Sequence, residues 1–253
     1  MKYLRLLIAL VITLPLCTHA QVSEGEIQFD ETVNLHKRIP PDREQFKDMI
    51  PEFRTFPKVL YFNTEASSWR SSEREIPGQE DPMEGGRGRR FRMRMSGAGG
   101  GMNSSVYTNL EEGYSIDQRD MFDKQFLVNG EPETFSWKVS PEQKQVLDYV
   151  CMKATFEDSS RKIVVWFTPQ IPVSAGPGRL GGLPGMILEA DYNDGERTVE
   201  AVSVSTDTPD PSLLVAPKKG KKVTEEEFRA IREEKIKEFR EMRGEGGRRV
   251  RIN

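Results

Sequence analysis

Three strand–turn–strand patterns in the second half of the chain constrain its fold most strongly. In the first, Asn129-Gly130 supplies the positive φ angles of a tight hairpin turn between two apolar runs. The other two turns are Glu157-Asp158-Ser159-Ser160 and Asn193-Asp194-Gly195. The strands predicted around the three turns are Phe122–Val128 with Thr134–Val139, Tyr149–Phe156 with Lys162–Phe167, and Met186–Tyr192 with Arg197–Val204. Consecutive hairpins predict an antiparallel sheet.

The N-terminal part of the chain predicts two more strands and a short helix. Apolar and polar residues alternate from Ile27 through Phe29 and Val33 to Leu35, which is the pattern of a half-buried strand. Val59–Asn63 is a second strand candidate, and Pro41–Met49 is predicted as a short helix.

A longer helix is predicted near the C-terminus, over Glu225–Arg243. Thr224 and Glu227 have the spacing of a capping box, in which each side chain satisfies a backbone amide of the other residue. A narrow apolar stripe follows the helix through Phe228, Ile231, Ile236, Phe239 and Met242. Such a stripe serves either to dock the helix on its own domain or to bind a partner.

These elements predict a mainly β fold: a curved antiparallel sheet or half-barrel built from hairpins, with a C-terminal α-helix and a short N-terminal helix. Residues 71–105 are rich in Gly, Arg and Met without apolar periodicity, and are predicted to form a flexible insert. Residues 21–243 are predicted as one β-rich domain, and residues 244–253 as a disordered basic tail.

The first 20 residues have the form of a signal peptide. Lys2 and Arg5 precede the apolar run Leu6–Leu16, and Thr18-His19-Ala20 places small residues where a signal peptidase cleaves. The run is shorter than the roughly 20 residues of a spanning helix. We therefore expect an exported protein that is not integral to the membrane. The periplasm is the first expectation, while secretion and outer-membrane association remain open.

Removal of the predicted signal peptide would change the net charge and the cysteine content of the remaining chain. Removing Lys2 and Arg5 from the 37 basic residues leaves 35 against 40 acidic residues, a net charge of −5, which argues against nucleic-acid binding. Cys17 is lost with the signal peptide, so Cys151 has no partner for an internal disulfide. It is predicted as a small buried hydrophobe, with a reactive thiol as the alternative.

A resemblance to a known family extends over residues 135–204. The residues that carry it are Trp137, Tyr149-x-Cys151-x-Lys153-Ala154, Trp166-Phe167-Thr168, Ile171-Pro172, Gly176-Pro177 and Gly182-Leu183-Pro184-Gly185-Met186-Ile187. Their order and spacing resemble the GLPGLI family of exported Bacteroidetes-type proteins, with Met186 where that family usually has leucine. The resemblance implies an exported, β-rich protein and no established activity.

The motif itself predicts a shaped loop. Pro184 sets φ near −65° and Gly185 tolerates a positive φ, so Leu183–Met186 suits a type II turn. The loop forms either a binding lip or a cover for one end of the sheet. Residues 176–181 also match the pattern G-x-G-x-x-G, but the following Gly182-Leu183-Pro184-Gly185 breaks the helix that a dinucleotide site needs.

No catalytic constellation is found, so no catalytic residue, metal or cofactor is predicted. His36 is the only histidine after the signal peptide. Glu189, Asp191, Asp194 and Glu196 are interpreted as a solvated hairpin, because they lack EF-hand spacing. Met93, Met95 and Met102 could bind copper(I), but neighbouring arginines oppose a cation. The Arg87–Arg94 cluster could instead contact an anionic surface.

Three functional hypotheses remain. The first is an accessory or interaction protein of an outer-membrane system, acting through its C-terminal helix or its charged tails. The second is a carrier that holds a hydrophobic ligand such as lipid in a β cup, and the third is an enzyme of unrecognised type. The residues predicted to contact a ligand are Trp137, Tyr149, Trp166, Arg179, Leu183, Pro184 and Gly185, with Met152 as a further cup residue. A carrier needs a continuous apolar cavity, whereas an interaction protein needs a filled core.

Overall fold

A computed structural model describes residues 22–79, 104–121, 124–130 and 134–246, without the side chains of residues 43, 46 and 239–246. The predicted signal peptide and Met93, Met95 and Met102 lie outside the described residues, as does the Arg87–Arg94 cluster. Most of the predicted insert and the last seven residues lie outside them too.

Twelve described strands form one sheet. They are β1 (Gly25–Asn34), β2 (Phe53–Phe62), β3 (Ala66–Ser71), β4 (Ser105–Asn109), β5 (Tyr114–Met121), β6 (Lys124–Gly130), β7 (Lys138–Val146), β8 (Tyr149–Glu157), β9 (Lys162–Thr168), β10 (Met186–Tyr192), β11 (Arg197–Ser205) and β12 (Lys221–Val223). Their order in the sheet is β12-β6-β5-β4-β3-β2-β1-β11-β10-β9-β8-β7. The predicted mainly β fold is confirmed.

The topology is a double meander around β1. Strands β2 to β6 follow one another on one side of β1, and β11 back to β7 follow one another on the other. Each of these neighbouring pairs is antiparallel, including β1 with β11, which are far apart in the sequence. Only β12 joins in parallel, beside β6. The sheet therefore stays open, with β7 and β12 at its edges.

The sheet is strongly curved. β5 and β10 are six strand spacings apart, about 29 Å in a flat sheet. A methyl group at Gly176 would lie 2.8 Å from Cβ of Ile187 on β10, so the chain there touches β10. Arg179 follows three residues later, so its backbone is at most about 11 Å from that of Gly176. Its side chain reaches Asp117 on β5. Both contacts require the two halves of the sheet to curl toward each other.

Two of the three predicted hairpins are confirmed, and the first is wrong. β8 pairs with β9, and β10 pairs with β11. Asn129-Gly130, however, does not turn the chain back on itself. It ends β6, which pairs with β5, while β7 pairs with β8. The apolar side chains of β6 find a better partner in the C-terminal helix and β12, with which Phe126 and Val128 share a cluster.

Both predicted helical segments are helical. Pro41–Met49 is a 3₁₀ helix, and a second short one spans His36–Arg38. A third, Pro211–Leu214, precedes β12. The C-terminal helix α1 spans Glu225–Gly246 and so runs three residues into the predicted tail. Its capping box is confirmed, because Thr224 N donates to Glu227 Oε2 at 2.9 Å and Glu227 N donates to Thr224 Oγ1 at 3.1 Å. No helix among the described residues is long and apolar enough to cross a membrane.

The core is divided into two clusters. The main one takes side chains from β1, β2 and β3 on one side and from β8 to β11 on the other, with Phe29 packed edge-on against Trp69 at 5.3 Å between ring centroids. The second and smaller cluster joins β5, β6, β12 and α1. A charged region, described below, lies between the two clusters.

Candidate functional site

The segment between β9 and β10, residues 169–185, fills the main core. Its apolar side chains Ile171, Val173, Ala175, Leu180 and Leu183 are all buried in that cluster. Two backbone hydrogen bonds hold the segment against the start of β10, from Met186 N to Ile171 O and from Ile187 N to Ala175 O. The segment is thus a plug built from the chain itself, which we call the plug loop.

The turn in the glycine-proline motif differs from the prediction. Gly185 N donates to Leu183 O at 2.8 Å, which closes a three-residue turn centred on Pro184. The predicted type II turn is therefore wrong, because Met186 N bonds to Ile171 rather than to Leu183. Gly185 has a φ of 153°, and a methyl group there would lie 2.1 Å from the carbonyl oxygen of Thr168. Glycine is required here by close backbone approach.

The segment that matches G-x-G-x-x-G is a loop, as predicted. Leu180 N donates to Pro177 O at 3.2 Å, and Ala175 forms an isolated antiparallel bridge with Gly181. The chain then continues through the plug loop into β10 rather than into a helix. A dinucleotide phosphate would meet no helix N-terminus at this position.

A network of charged side chains joins the plug loop to β5 and α1. Arg119 on β5 forms a bidentate pair with Glu225, both bonds measuring 2.9 Å, and donates from Nε and Nη2 to Asp117 Oδ2 at 3.0 and 2.6 Å. Arg179 of the plug loop brings Nη2 to 3.0 Å from the same oxygen and 4.0 Å from Glu225 Oε2. Three separate elements therefore meet at one charged point.

Ion pairing favours the charged forms of Arg119 and Glu225. Burial alone lowers the pKa of Arg119, but the hydrogen bonds from Glu225 and the charge of Asp117 outweigh it, so the pKa is raised. Burial on its own raises the pKa of Glu225. The hydrogen bond and the charge of Arg119 oppose burial, and on balance the pKa of Glu225 lies below its usual range. The Arg119 guanidinium also lies over the Phe228 ring, 5.0 Å from its centroid. The network is thus a charged clamp on the first turn of α1.

Trp137 supports the plug loop from the other end of the sheet. Its Nε1 donates to Gly181 O at 2.9 Å, and its ring packs against Phe135 and Phe156 with centroids 4.9 and 6.2 Å apart. Phe156 pairs with Ile163 on β9, so this aromatic cluster lies on the face of the sheet that the plug loop covers. Trp137 fixes the position of the loop.

The other predicted ligand-contact residues are dispersed. Trp166 lies between buried Val165 and Phe167 on β9, so it points to the opposite face from Trp137. There it stacks with Lys144, whose Nζ is 4.6 Å from the ring centroid. The remaining placements are Tyr149 at the start of β8, half-buried Met152, buried Leu183 and Gly185, and exposed Pro184. The set does not surround one cavity, and its binding role stays a prediction.

The buried reading of Cys151 is confirmed. The side chain is fully buried in the main cluster. Burial raises the pKa of its thiol from 9.0 to about 12, and the charge of Glu189 raises it too. Because the thiolate is the reactive species, full burial and the raised pKa together disfavour a reaction of this thiol in the folded protein.

We expect Cys151 to remain unlabelled by a maleimide at pH 8 while the protein is folded, and to react within minutes after denaturation. Its raised pKa also predicts that stability falls as the pH rises from about 9 toward 12, because the unfolded chain releases the thiol proton first. Mass spectrometry of timed labelling reactions measures the first effect. Rapid labelling of the folded protein would contradict the buried, protonated state.

The acidic hairpin is satisfied internally. Asp194 pairs with Lys162 at 2.7 Å, Glu196 pairs with Arg38 at 3.2 Å, and Asp191 accepts from Gly195 N. His36 Nε2 lies 3.0 Å from the carbonyl oxygen of Ile50. Among the described residues, no group of three or more His, Cys, Asp or Glu side chains could hold a metal ion.

Structural comparison finds the fold in a much larger protein. Two structures of PNGF-II, in the P21 and C2 space groups, match 83% of this chain with a TM-score of 0.53. The sequence identities are 16% and 15%, and the match covers 33% and 32% of the PNGF-II chains. This chain therefore spans about a third of PNGF-II, and the likeness concerns the fold alone.

Sequence comparison adds one family model. Residues 156–189 match the model described as "Protein of unknown function (Porph_ging)". The matched segment runs through β9 and the plug loop into β10, so it contains the glycine-proline motif. This family model does not carry the name GLPGLI, so the assignment of the chain to the GLPGLI family stays a prediction. No curated protein matches the sequence.

Proposed function

We propose that this chain is an exported accessory protein of an outer-membrane system, and that α1 is the element with which it binds its partner. The observation that carries the proposal is the way α1 is attached. Among its described side chains, Phe228 and Ile231 pack into the second cluster, and Glu225 is held by the Arg119 clamp. All three belong to the first two turns of a 22-residue helix, about 33 Å long.

The apolar stripe continues past this attachment. Ile236 is half-buried, yet it belongs to neither apolar cluster of the described part of the chain. The sequence extends the stripe through Phe239 and Met242. A helix that carries an apolar stripe beyond its own domain has the form of a segment that inserts into a groove of another protein.

The filled core supports an interaction protein over a lipid carrier. The space in which a cupped sheet would hold a ligand is occupied by Leu180, Leu183 and the other apolar side chains of the plug loop. The residues from 225 to 243 include seven acidic and six basic side chains, so net charge cannot select the partner. We infer that the partner presents an apolar groove with charges of both signs at its rim, on the periplasmic side of an outer-membrane protein.

A photo-crosslinking amino acid at position 236, introduced in cells, tests the proposal. We expect an adduct with one outer-membrane protein at position 236 and no adduct at exposed position 237, which lies about 100° further around the helix and faces away from the apolar stripe. Ile236→Asp should weaken binding to that purified protein by tenfold or more, because it places a charge in an apolar groove. The variant should keep the melting temperature, since Ile236 lies outside both clusters.

Equal adducts at positions 236 and 237 would show that no particular face of α1 is recognised. Unchanged binding by Ile236→Asp would place the contact elsewhere on the protein. Either result would overturn the docking role of α1.

A further inference from the structure

A cleft between α1 and the neighbouring strands carries an inference beyond partner docking. It has a volume of about 260 Å³, and its lining includes Asp117, Arg119, Glu225, Arg229 and Arg232. Asp117 and Arg119 come from β5, and the other three come from the first two turns of α1. The volume is below the range of about 300–1,000 Å³ that is usual for drug-sized ligands. The cleft can hold only a small molecule.

The cleft has an excess of positive charge. Arg119 and Arg179 offset the charges of Asp117 and Glu225 through the clamp described above. Arg229 and Arg232 then remain as two further positive charges on the wall formed by α1. A phosphate monoester carries a charge of about −1.5 to −2 at neutral pH, which matches this excess.

Several polar atoms around the cleft lack hydrogen-bond partners among the described residues. On the donor side this is Nε of Arg232. Arg179 does not line the cleft, although its Nε and Nη2 also lack hydrogen-bond partners and Nη2 lies 3.0 Å from Asp117 Oδ2. On the acceptor side it is Oδ1 of Asp117, whose side chain is 9% exposed. Buried polar groups normally find partners, so these atoms fit a ligand that offers both an anionic oxygen and a hydroxyl group.

We propose that this cleft binds a small phosphorylated polyol. The phosphate lies against Arg229 and Arg232, where guanidinium groups donate to its oxygens. A neighbouring hydroxyl group donates to Oδ1 of Asp117, which can only accept while it is ionised. A free polyol phosphate offers both groups, and the headgroup of phosphatidylglycerol offers the same hydroxyl groups beside a phosphodiester with a single negative charge.

Isothermal titration calorimetry with sn-glycerol 3-phosphate, inorganic phosphate and glycerol tests the site on the full chain after signal removal. Flotation with phosphatidylglycerol vesicles tests the lipid source. We expect sn-glycerol 3-phosphate or the vesicles to bind, inorganic phosphate to bind more weakly, and glycerol to show no binding. Arg232→Gln should weaken the interaction about tenfold or more, the effect of losing a hydrogen bond to a charged group.

Lys237→Gln is the matched control, because it removes the same charge from an exposed position of the same helix that does not line the cleft. Binding that depends on Arg232 but not on Lys237 supports the site. Binding in calorimetry identifies a free polyol phosphate as the ligand, and binding in flotation identifies a lipid headgroup. Absence of binding in both arms would overturn the proposal. Equal losses in the two variants would also overturn it, because they would indicate a diffuse charge effect.

Discussion

Replacing Gly185 with alanine should be among the most damaging single-methyl changes in this protein. The added methyl group would lie 2.1 Å from the carbonyl oxygen of Thr168 and 3.0 Å from Cα of Pro169. These are backbone atoms, so no side-chain rotation can relieve the overlap. The plug loop must shift, and with it the buried Leu183 and the bond from Met186 N to Ile171 O. We expect Gly185→Ala to lower the free energy of unfolding by about 3 kcal/mol or more.

Gly178→Ala separates this overlap from backbone strain. Gly178 lies in the same loop with a φ of 66°, but a methyl group there meets no atom within 4 Å. Its substitution should cost only the strain of a left-handed conformation, about 1–2 kcal/mol. Urea unfolding of both variants measures the difference. Similar losses in the two proteins would mean that the motif glycine is kept for its backbone angle rather than for the close approach of Thr168.

Replacing Arg119 with alanine should detach the C-terminal helix. The change removes the bidentate pair with Glu225 and leaves Asp117, whose side chain is 9% exposed, with Arg179 as its only ion-pair partner among the described residues. Breaking a buried pair by deleting one partner typically costs about 3–5 kcal/mol. Glu225 is 43% exposed and so recovers some hydration, which puts our expectation near the lower end, at about 3 kcal/mol.

Two further variants define the cause of that loss. Arg119→Lys should recover little of it, because an ammonium group cannot form the bidentate pair or lie flat over Phe228. Lys162→Ala removes an exposed ion pair with Asp194 and should leave unfolding unchanged within error. Full recovery by lysine would show that the clamp needs only a positive charge at this position.

Elements governed by local chemistry could be predicted from the sequence. The capping box at Thr224 and Glu227 depends on residues three apart, and it forms as expected. The hairpin around Asn193-Asp194-Gly195 forms for the same reason, since all three residues adopt positive φ angles. Asn129-Gly130 carries an equally good local signal, but the packing of β6 against α1 and β12 outweighs it.

The charged clamp could not be predicted, because β5, the strand that carries Asp117 and Arg119, lacks apolar residues at three successive positions of its inward face. On β5 the residues that share the inward face include Ser115, Asp117 and Arg119, so the alternation that identifies a half-buried strand is absent. The partners of Arg119 are also distant in sequence, with Glu225 lying 106 residues away. The spacing of Asp117 and Arg119, two apart and of opposite charge, was the one available signal.

The plug loop was predicted as a shaped loop, but its position inside the main core was not predicted. Ile171, Val173 and Leu180 are separated by glycine and proline, a composition that indicates a surface loop. Only the curvature of the sheet, which depends on all its strands, brings these residues into the core. The predicted ligand-contact set was dispersed for the same reason, because adjacent positions on one strand point to opposite faces.

Hydrogen–deuterium exchange along α1, measured on residues 21–253, tests the central claim most directly. We expect the hydrogen-bonded amides of residues 228–232, which are held by Phe228, Ile231 and the Arg119 clamp, to exchange slowly. We expect fast exchange beyond residue 232, because a helical segment without packing is only marginally stable in water. Uniform slow exchange to the end of the helix would contradict the account, since it would mean that the whole stripe is packed against its own domain.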